Sequence, residues 1–333
     1  MAGKIFPDNR VSLFHYTSGD GLVGIVKTNC LFASHSDFLN DSTECRIIRD
    51  LLTPVIETEI DATTRMLVQR GLLKKEVFEA HNGAFAIGEA NNVLNVLFKA
   101  INGLAPFFIT SFCMHAKGTV DFDNGLLSQW RGYGRSGGFA IEFNESGINE
   151  LVSLELNKYA YDSIETRRVA YKDYGDKFDP AEFKGLANAM IREVFASQGF
   201  DISPLVGEPV VETYIRPFLK SAPFMKHFGF REENEYRIVA PCYRTSVKKI
   251  ATPEELAIGN FNFKSMELRR RADGTMIPYI ELFRDLERPL PIMSILVGPH
   301  ANQAHQRNAL EVFLEQRGLD IPVRVSNLPY REW

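Results

Sequence analysis

VSLFHYTS, residues 11–18, runs directly into GDG at 19–21, and the reading of this junction decides how the rest of the chain is organised. β-Branched and aromatic residues lead into a Gly/Asp turn signal, which predicts a strand over 11–18 and a short helix over about 19–29. On a strand, His15 and Thr17 point to one face and Tyr16 to the other. LFASH at 31–35 predicts a second strand. NDSTE at 40–44 predicts a helix start, with Asn40 or Asp41 able to cap the backbone ahead of CRIIRDLL.

Outward from that junction, helical spacing runs from 44 to about 103, and PFFITSFCMH at 106–115 returns to strand character. A short helix is predicted in LLSQWRGYG at 126–134, a strand in GGFAIEF at 137–143, and one or two strands in KYAYDS and RRVAYKD between 158 and 173. Residues 180–222 read as helical. The C-terminal third predicts strands in EYRIVAP (235–241), FNFKSMELR (261–269), MIPYIELF (276–283), MSILVGP (293–299) and IPVRVS (321–326), interrupted by a helical period over 301–315. This is an α+β pattern, with one mixed sheet assembled from distant segments and not a regular βαβ alternation. No repeat of 20–50 residues recurs.

The 333 residues carry 38 Lys and Arg against 42 Asp and Glu, a net charge of −4. So near neutrality, there is no global electrostatic footprint for nucleic acid, and any such contact needs a local basic groove. The longest apolar runs, such as PIMSILVG at 291–298, fall far below the roughly 18 residues of a membrane span. MAGKIFPDNR lacks the apolar region of a secretory leader, so a cytoplasmic location without membrane partners is expected. Cys30, Cys45, Cys113 and Cys242 show no C-x-x-C pairing and are expected to be free thiols. Cys113 with His115 supplies only two ligands, so no metal is expected.

Three constellations carry possible chemistry. Phe14-His15-Tyr16-Thr17-Ser18 gathers hydrogen-bonding side chains at a strand-to-turn junction, although a lone His there is also a common structural residue. Ser128 to Gly138 holds Trp130 and Tyr133, three apart and so on one helix face, with Arg131, Arg135 and four glycines around them. Such a segment suits ring stacking and phosphate contact, or plain packing; it fits neither G-x-G-x-x-G nor the P-loop. Arg231 to Arg237 places Glu233 and Glu235 two apart at a strand entrance, flanked by arginines. A carboxylate there is suited to binding a sugar hydroxyl or stabilising a developing cation. The basic run Arg269-Arg270-Arg271 reads either as a solvated strand end or as a nucleic-acid contact.

The order LFHYTS, LNDSTE, SFC, LLSQWRGYG, GGFAIEF, FREENEYRIV and ILVGP, from about 13 to 299, resembles the DUF2971 family. That family is similar to a divergent branch of the ADP-ribosyltransferase-like fold. The resemblance implies a single domain with a split, mixed or antiparallel β-core (11–43, 106–174 and 223–326) and two helical insertions, 44–105 and 175–222. By position, His15 matches its first motif, Ser111-Phe112-Cys113 its second and Glu235 its third, with Glu233 as the other candidate for the catalytic glutamate. Asn40, Asp41 and Glu44 match its N-D-x-x-E element, and Trp130 with Tyr133 its W-x-x-Y. Cys113 stands where the family more often has a second serine.

The resemblance implies an NAD-dependent ADP-ribosyltransferase, in a bacterial toxin, effector or phage-defence setting. NAD is its substrate and the acceptor is a protein or a nucleic acid. His15, Tyr16, Thr17, Ser111, Trp130, Arg131, Tyr133, Asn40 and Asp41 are then expected to hold NAD, and Glu235 to stabilise the oxocarbenium-like transition state. The alternatives are an NAD- or ADP-ribose-sensing or protein-interaction module, in which a regulatory partner is expected, and an NAD glycohydrolase. A nuclease is disfavoured, because the one E-x-K, Glu182-Phe183-Lys184, falls in a predicted helix without acidic partners.

Overall fold

The structure, a computed structural model, describes residues 11–39, 44–72, 74, 76, 84–134, 138–161, 163–172, 222–246, 262–271 and 273–329. In chain order the elements are β1 (Val11–Thr17), α1 (Gly19–Thr28), β2 (Leu31–His35), α2 (Glu44–Gln69), α3 (Ala84–Leu104) and β3 (Phe107–Ala116). Then come α4 (Val120–Asn124), α5 (Leu127–Tyr133), β4 (Phe139–Phe143), α6 (Glu145–Lys158), β5 (Glu165–Arg168), β6 (Ala170–Lys172) and β7 (Met225–His227). β8 (Glu235–Pro241), β9 (Met266–Arg270), β10 (Met276–Leu282), β11 (Ile292–Val297), α7 (Gln303–Glu315) and β12 (Val323–Val325) complete the chain.

The chain divides into two compact units, one of residues Met1–Phe38, Phe108–Val169 and Phe230–Trp333, the other of Leu39–Phe107 and Ala170–Gly229. The second unit contains α2 packed on α3, with Leu52, Ile56, Ile60 and Leu67 of α2 and Leu94 and Leu97 of α3 buried, and a short parallel pair of β6 with β7.

In the first unit the sheet order is β12-β11-β4-β1-β3-β2-β10-β9, with β8 also paired to β3 and β5 to β8. Most of these pairings are antiparallel; β11 and β12 are parallel, joined through α7 as a parallel connection requires. The fold is therefore α+β with a mixed sheet. Alternation sends Leu13, Phe112, Met114, Ile141 and Ile295 to one buried cluster, and Phe14, Tyr16, Cys113, Ala140 and Leu296 to the other. Helices α1, α6 and α7 cover the first face through Leu22, Ile25, Ile148, Leu151, Leu310 and Leu314, while Trp130 of α5 covers the second. Burial on both faces makes β4 a continuous apolar strand broken only by Glu142, and that carboxylate is paired with Arg324.

Three expectations are corrected. The residue pattern predicts no element at 145–158, yet α6 forms there, because the Asn144 side chain accepts from the Gly147 N–H and Ile148, Leu151 and Val152 bury at helical spacing. KYAYDS is not a strand: α6 runs through Lys158, and beyond it Tyr161 makes only an isolated bridge with Cys242. The strand expected from 261 begins at Met266. Ahead of it, Lys264 turns inward to lie 2.9 Å from Glu155, a carboxylate that also accepts from Tyr161 Oη and the Phe283 N–H. The helix expected over 180–222 lies outside the described residues up to 221, as do Asn40, Asp41 and Arg135.

Cys30, Cys113 and Cys242 are buried and form no disulfide among the described residues. Among the described residues no group of three or more His, Cys, Asp or Glu is placed to hold a metal, and no helix is long and apolar enough to cross a membrane.

Candidate functional site

β1, β3 and β8 are neighbours in one sheet, so the segments carrying His15, Ser111 and Glu235 are drawn together from 220 residues of sequence. β3 has three partner strands but only two edges, so two partners share an edge along different parts of its length. Its pairing with β1 runs from Val11↔Ala116 to Phe14↔Cys113, and its pairing with β2 involves Ile109 and Phe108. Thr110 to Phe112 lie between those two ladders. There His15 turns its ring to β3, with Nδ1 2.9 Å from the Ser111 carbonyl oxygen.

A carbonyl only accepts, so His15 Nδ1 carries the proton and Nε2 is left as an acceptor, with no partner among the described residues. Burial lowers the pKa of His15 below the ordinary histidine value; the Ser111 carbonyl opposes this and the Arg269 charge adds to it. The imidazole is therefore held neutral, half-buried and fixed in one tautomer. Thr17, one alternation further along the same face, sits over Gly21, where a Cβ would lie 2.0 Å from Thr17 Oγ1. Ser18 caps α1 through the Gly21 N–H. Ser111 meets His15 through its backbone, not its hydroxyl.

The opposite face of β1 is structural. Tyr16 Oη accepts from the Leu126 N–H at 2.8 Å and shares a hydrogen bond with His115 Nε2 at 2.8 Å, and burial drives the His115 pKa down to about 4. Trp130 meets Tyr16 edge to face at a centroid distance of 4.9 Å and donates from Nε1 to the Asn124 carbonyl. With Trp130 2% exposed and Tyr133 43% exposed, the two rings do not present the common wall that their spacing predicts. The Trp130 indole is spent on packing, as is the Tyr16 ring, whereas Arg131 and Tyr133 are exposed.

Glu235 begins β8 and Glu233 ends the 3-10 turn before it; between them Asn234 has a left-handed backbone, φ 42°. That break removes the strand alternation expected to place both glutamates on one side. Asn234 ties β8 to β3: its carbonyl accepts from the Met114 N–H at 2.9 Å and its Nδ2 donates to the Met114 carbonyl at 2.8 Å. Glu235 is 3% exposed and takes a bidentate pair from Arg237, Nε to Oε1 at 2.7 Å and Nη2 to Oε2 at 3.0 Å. Glu233 is half-buried. Asn234 escapes a reading of the residues alone; its signal is an Asn between a turn and a strand, the residue type that tolerates the left-handed region.

Residues 129–238 match the DUF2971 family model, described as a protein of unknown function. The matched stretch includes Trp130, Tyr133, Glu233 and Glu235, with His15 and Ser111 N-terminal to it. No curated protein and no solved structure matches the chain.

Proposed function

We propose that this chain, which carries a DUF2971 region at its centre, binds NAD where β1 leaves β3 and transfers ADP-ribose from it, on a split β-core of the ADP-ribosyltransferase-like type. The reading rests on one observation above the others: His15 is anchored through Nδ1 to the β3 backbone, leaving Nε2 as a fixed acceptor on a strand adjacent, through β3, to the one headed by Glu235. A neutral imidazole in that tautomer suits a ribose hydroxyl. Thr17 would hold the nicotinamide half, and Tyr133 would stack on a ring. Arg237 holds the Glu235 carboxylate in place, and that carboxylate would accept from the nicotinamide-side ribose and favour positive charge as the C–N bond opens. Nicotinamide leaves with the bond pair, and a protein or nucleic-acid nucleophile bonds to the ribose carbon and loses its proton. Water in that role makes the protein a glycohydrolase. A bacterial toxin, effector or phage-defence setting suits such an activity.

A second reading is favoured by the burial of Glu235 against Arg237, 3% and 1% exposed: a carboxylate so enclosed suits a module that senses NAD or ADP-ribose without turnover and signals to a partner protein. Calorimetric titration of the full chain with NAD and with ADP-ribose, followed by chromatography of the cell contents, separates the readings. Released nicotinamide supports transfer or hydrolysis. Binding with intact NAD supports sensing, and the absence of heat with both ligands refutes both.

A further inference from the structure

β9 is an edge strand among the described residues, and its arginines do more than solvate that edge. Within β9, alternation puts Arg269 and Arg270 on opposite faces, and Arg271 follows the strand's last residue. Arg269 reaches across β10 to donate from Nη2 to Ser34 Oγ of β2 at 2.8 Å, with its guanidinium 5.8 Å from the Tyr279 ring centroid. Arg271 donates from Nη2 to the Phe38 carbonyl at 2.6 Å. Both guanidiniums are thus drawn onto the end of β2 and the turn that follows it.

Arg269 makes no ion pair with a described residue, and its pKa is lowered first by the protein around it and then by the Arg271 charge. The field of Arg269 extends to His15, and that of Arg244 to His35. Acidic groups are close as well: Asp37 lies 4.0 Å from His35 Nδ1, Asp273 feels Arg271, and Glu267 and Glu281 act on Tyr279. None of them forms a salt bridge with Arg269. Of the five N–H donors of that guanidinium, Ser34 takes one, which leaves a fork of the kind that binds phosphate oxygens in pairs.

We propose that Arg269 and Arg271, with Ser34 orienting Arg269, form the subsite for the diphosphate of a nucleotide. This deepens the NAD reading and rests on it for the rest of the ligand, but the subsite itself is tested with ADP alone. Ser34 holds the guanidinium in place before the ligand arrives, which reduces the side-chain entropy lost on binding.

ADP and adenosine are titrated calorimetrically into the full chain and into its Arg269→Ala, Arg269→Lys and Arg270→Ala variants, with thermal unfolding confirming that each folds. The expected result is that ADP binds the parent and Arg270→Ala alike, that Arg269→Ala weakens it by about tenfold or more, and that Arg269→Lys falls between. Adenosine affinity should not change between the parent and Arg269→Ala. ADP bound equally by the parent and Arg269→Ala overturns the subsite. So does a parent that ignores ADP, including one whose arginines instead bind a single-stranded RNA oligonucleotide. If ADP binding depends on Arg269 but NAD is never consumed, the subsite stands and the transfer reading falls; if NAD turns over with unchanged KM in Arg269→Ala, the transfer reading stands and the subsite falls.

Discussion

The imidazole of His15 donates from Nδ1 to the carbonyl oxygen of Ser111 across 2.9 Å, at the point where β1 and β3 stop pairing. A side chain thereby takes up a backbone acceptor just beyond the end of the ladder, and the sheet opens without leaving that carbonyl unpaired. The same bond fixes the His15 tautomer.

Because the contact uses the Ser111 backbone, Ser111→Ala should leave the His15 tautomer as it is, with the proton on Nδ1 in nitrogen-detected NMR of the imidazoles. His15→Ala should weaken NAD binding by about tenfold, the worth of about 1.4 kcal/mol. A Ser111→Ala protein with its His15 proton on Nε2 contradicts this geometry.

His115 makes the fold acid-sensitive. Its folded pKa, about 4, lies below the ordinary 6.5, so the unfolded chain takes up the proton first as pH falls. The stability it contributes is present above pH 6.5 and is lost as pH falls towards 4, up to about 3 kcal/mol for a shift of this size. Burial lowers His15 and His35 as well, with the same sign. Urea unfolding of the parent and of His115→Gln across pH 7 to 4 should show a shallower loss in the variant; parallel curves would count against the His115 assignment.

Trp130 is packed against backbone. A Cβ on Gly298 would lie 2.8 Å from the Gly138 carbonyl oxygen and 2.8 Å from the indole ring. Gly298→Ala should therefore cost about 1–3 kcal/mol in urea unfolding and shift the Trp130 fluorescence, read in a Trp333→Phe background. An unchanged midpoint would mean the indole is not confined there.

The Glu235–Arg237 pair is buried on both sides, so removing one partner takes the bidentate ion pair away from the other. Arg237→Ala should destabilise by about 3–5 kcal/mol, whereas Glu235→Gln, which retains an acceptor oxygen, should cost less. Equal, small effects in denaturation would show that the pair is not held as a dry ion pair.

Much of this architecture is legible in the residues. VSLFHYTSGDG announces β1 and the start of α1, and the alternation of His15 and Thr17 against Tyr16 appears as two half-buried side chains against a buried one. Three aspects are not legible, each for a physical reason. The helix at 145–158 has a capped start at Asn144, but the aromatic run after it reads as strand until Tyr159 and Tyr161 are seen turning to Asp285 and Glu155. Helical spacing relates Trp130 to Tyr133, yet which of two neighbouring rings is buried depends on Gly134, Gly298 and Tyr16, which local sequence does not relate. Arg269 reads as a solvated strand end because its partner, Ser34, is 235 residues away.

The proposed cleavage of NAD at the β1–β3–β8 junction, with Glu235 as the proposed group stabilising the transition state, has nicotinamide release as its immediate readout. The parent and Glu235→Gln are incubated with NAD labelled in the nicotinamide ring, in the presence of a bacterial lysate to supply acceptors, with folding of both confirmed by urea unfolding. Release by the parent is expected, with a fall of about a hundredfold or more in the folded variant, on the scale of losing one transition-state contact. Equal release by both proteins, or none by the parent, would refute the assignment.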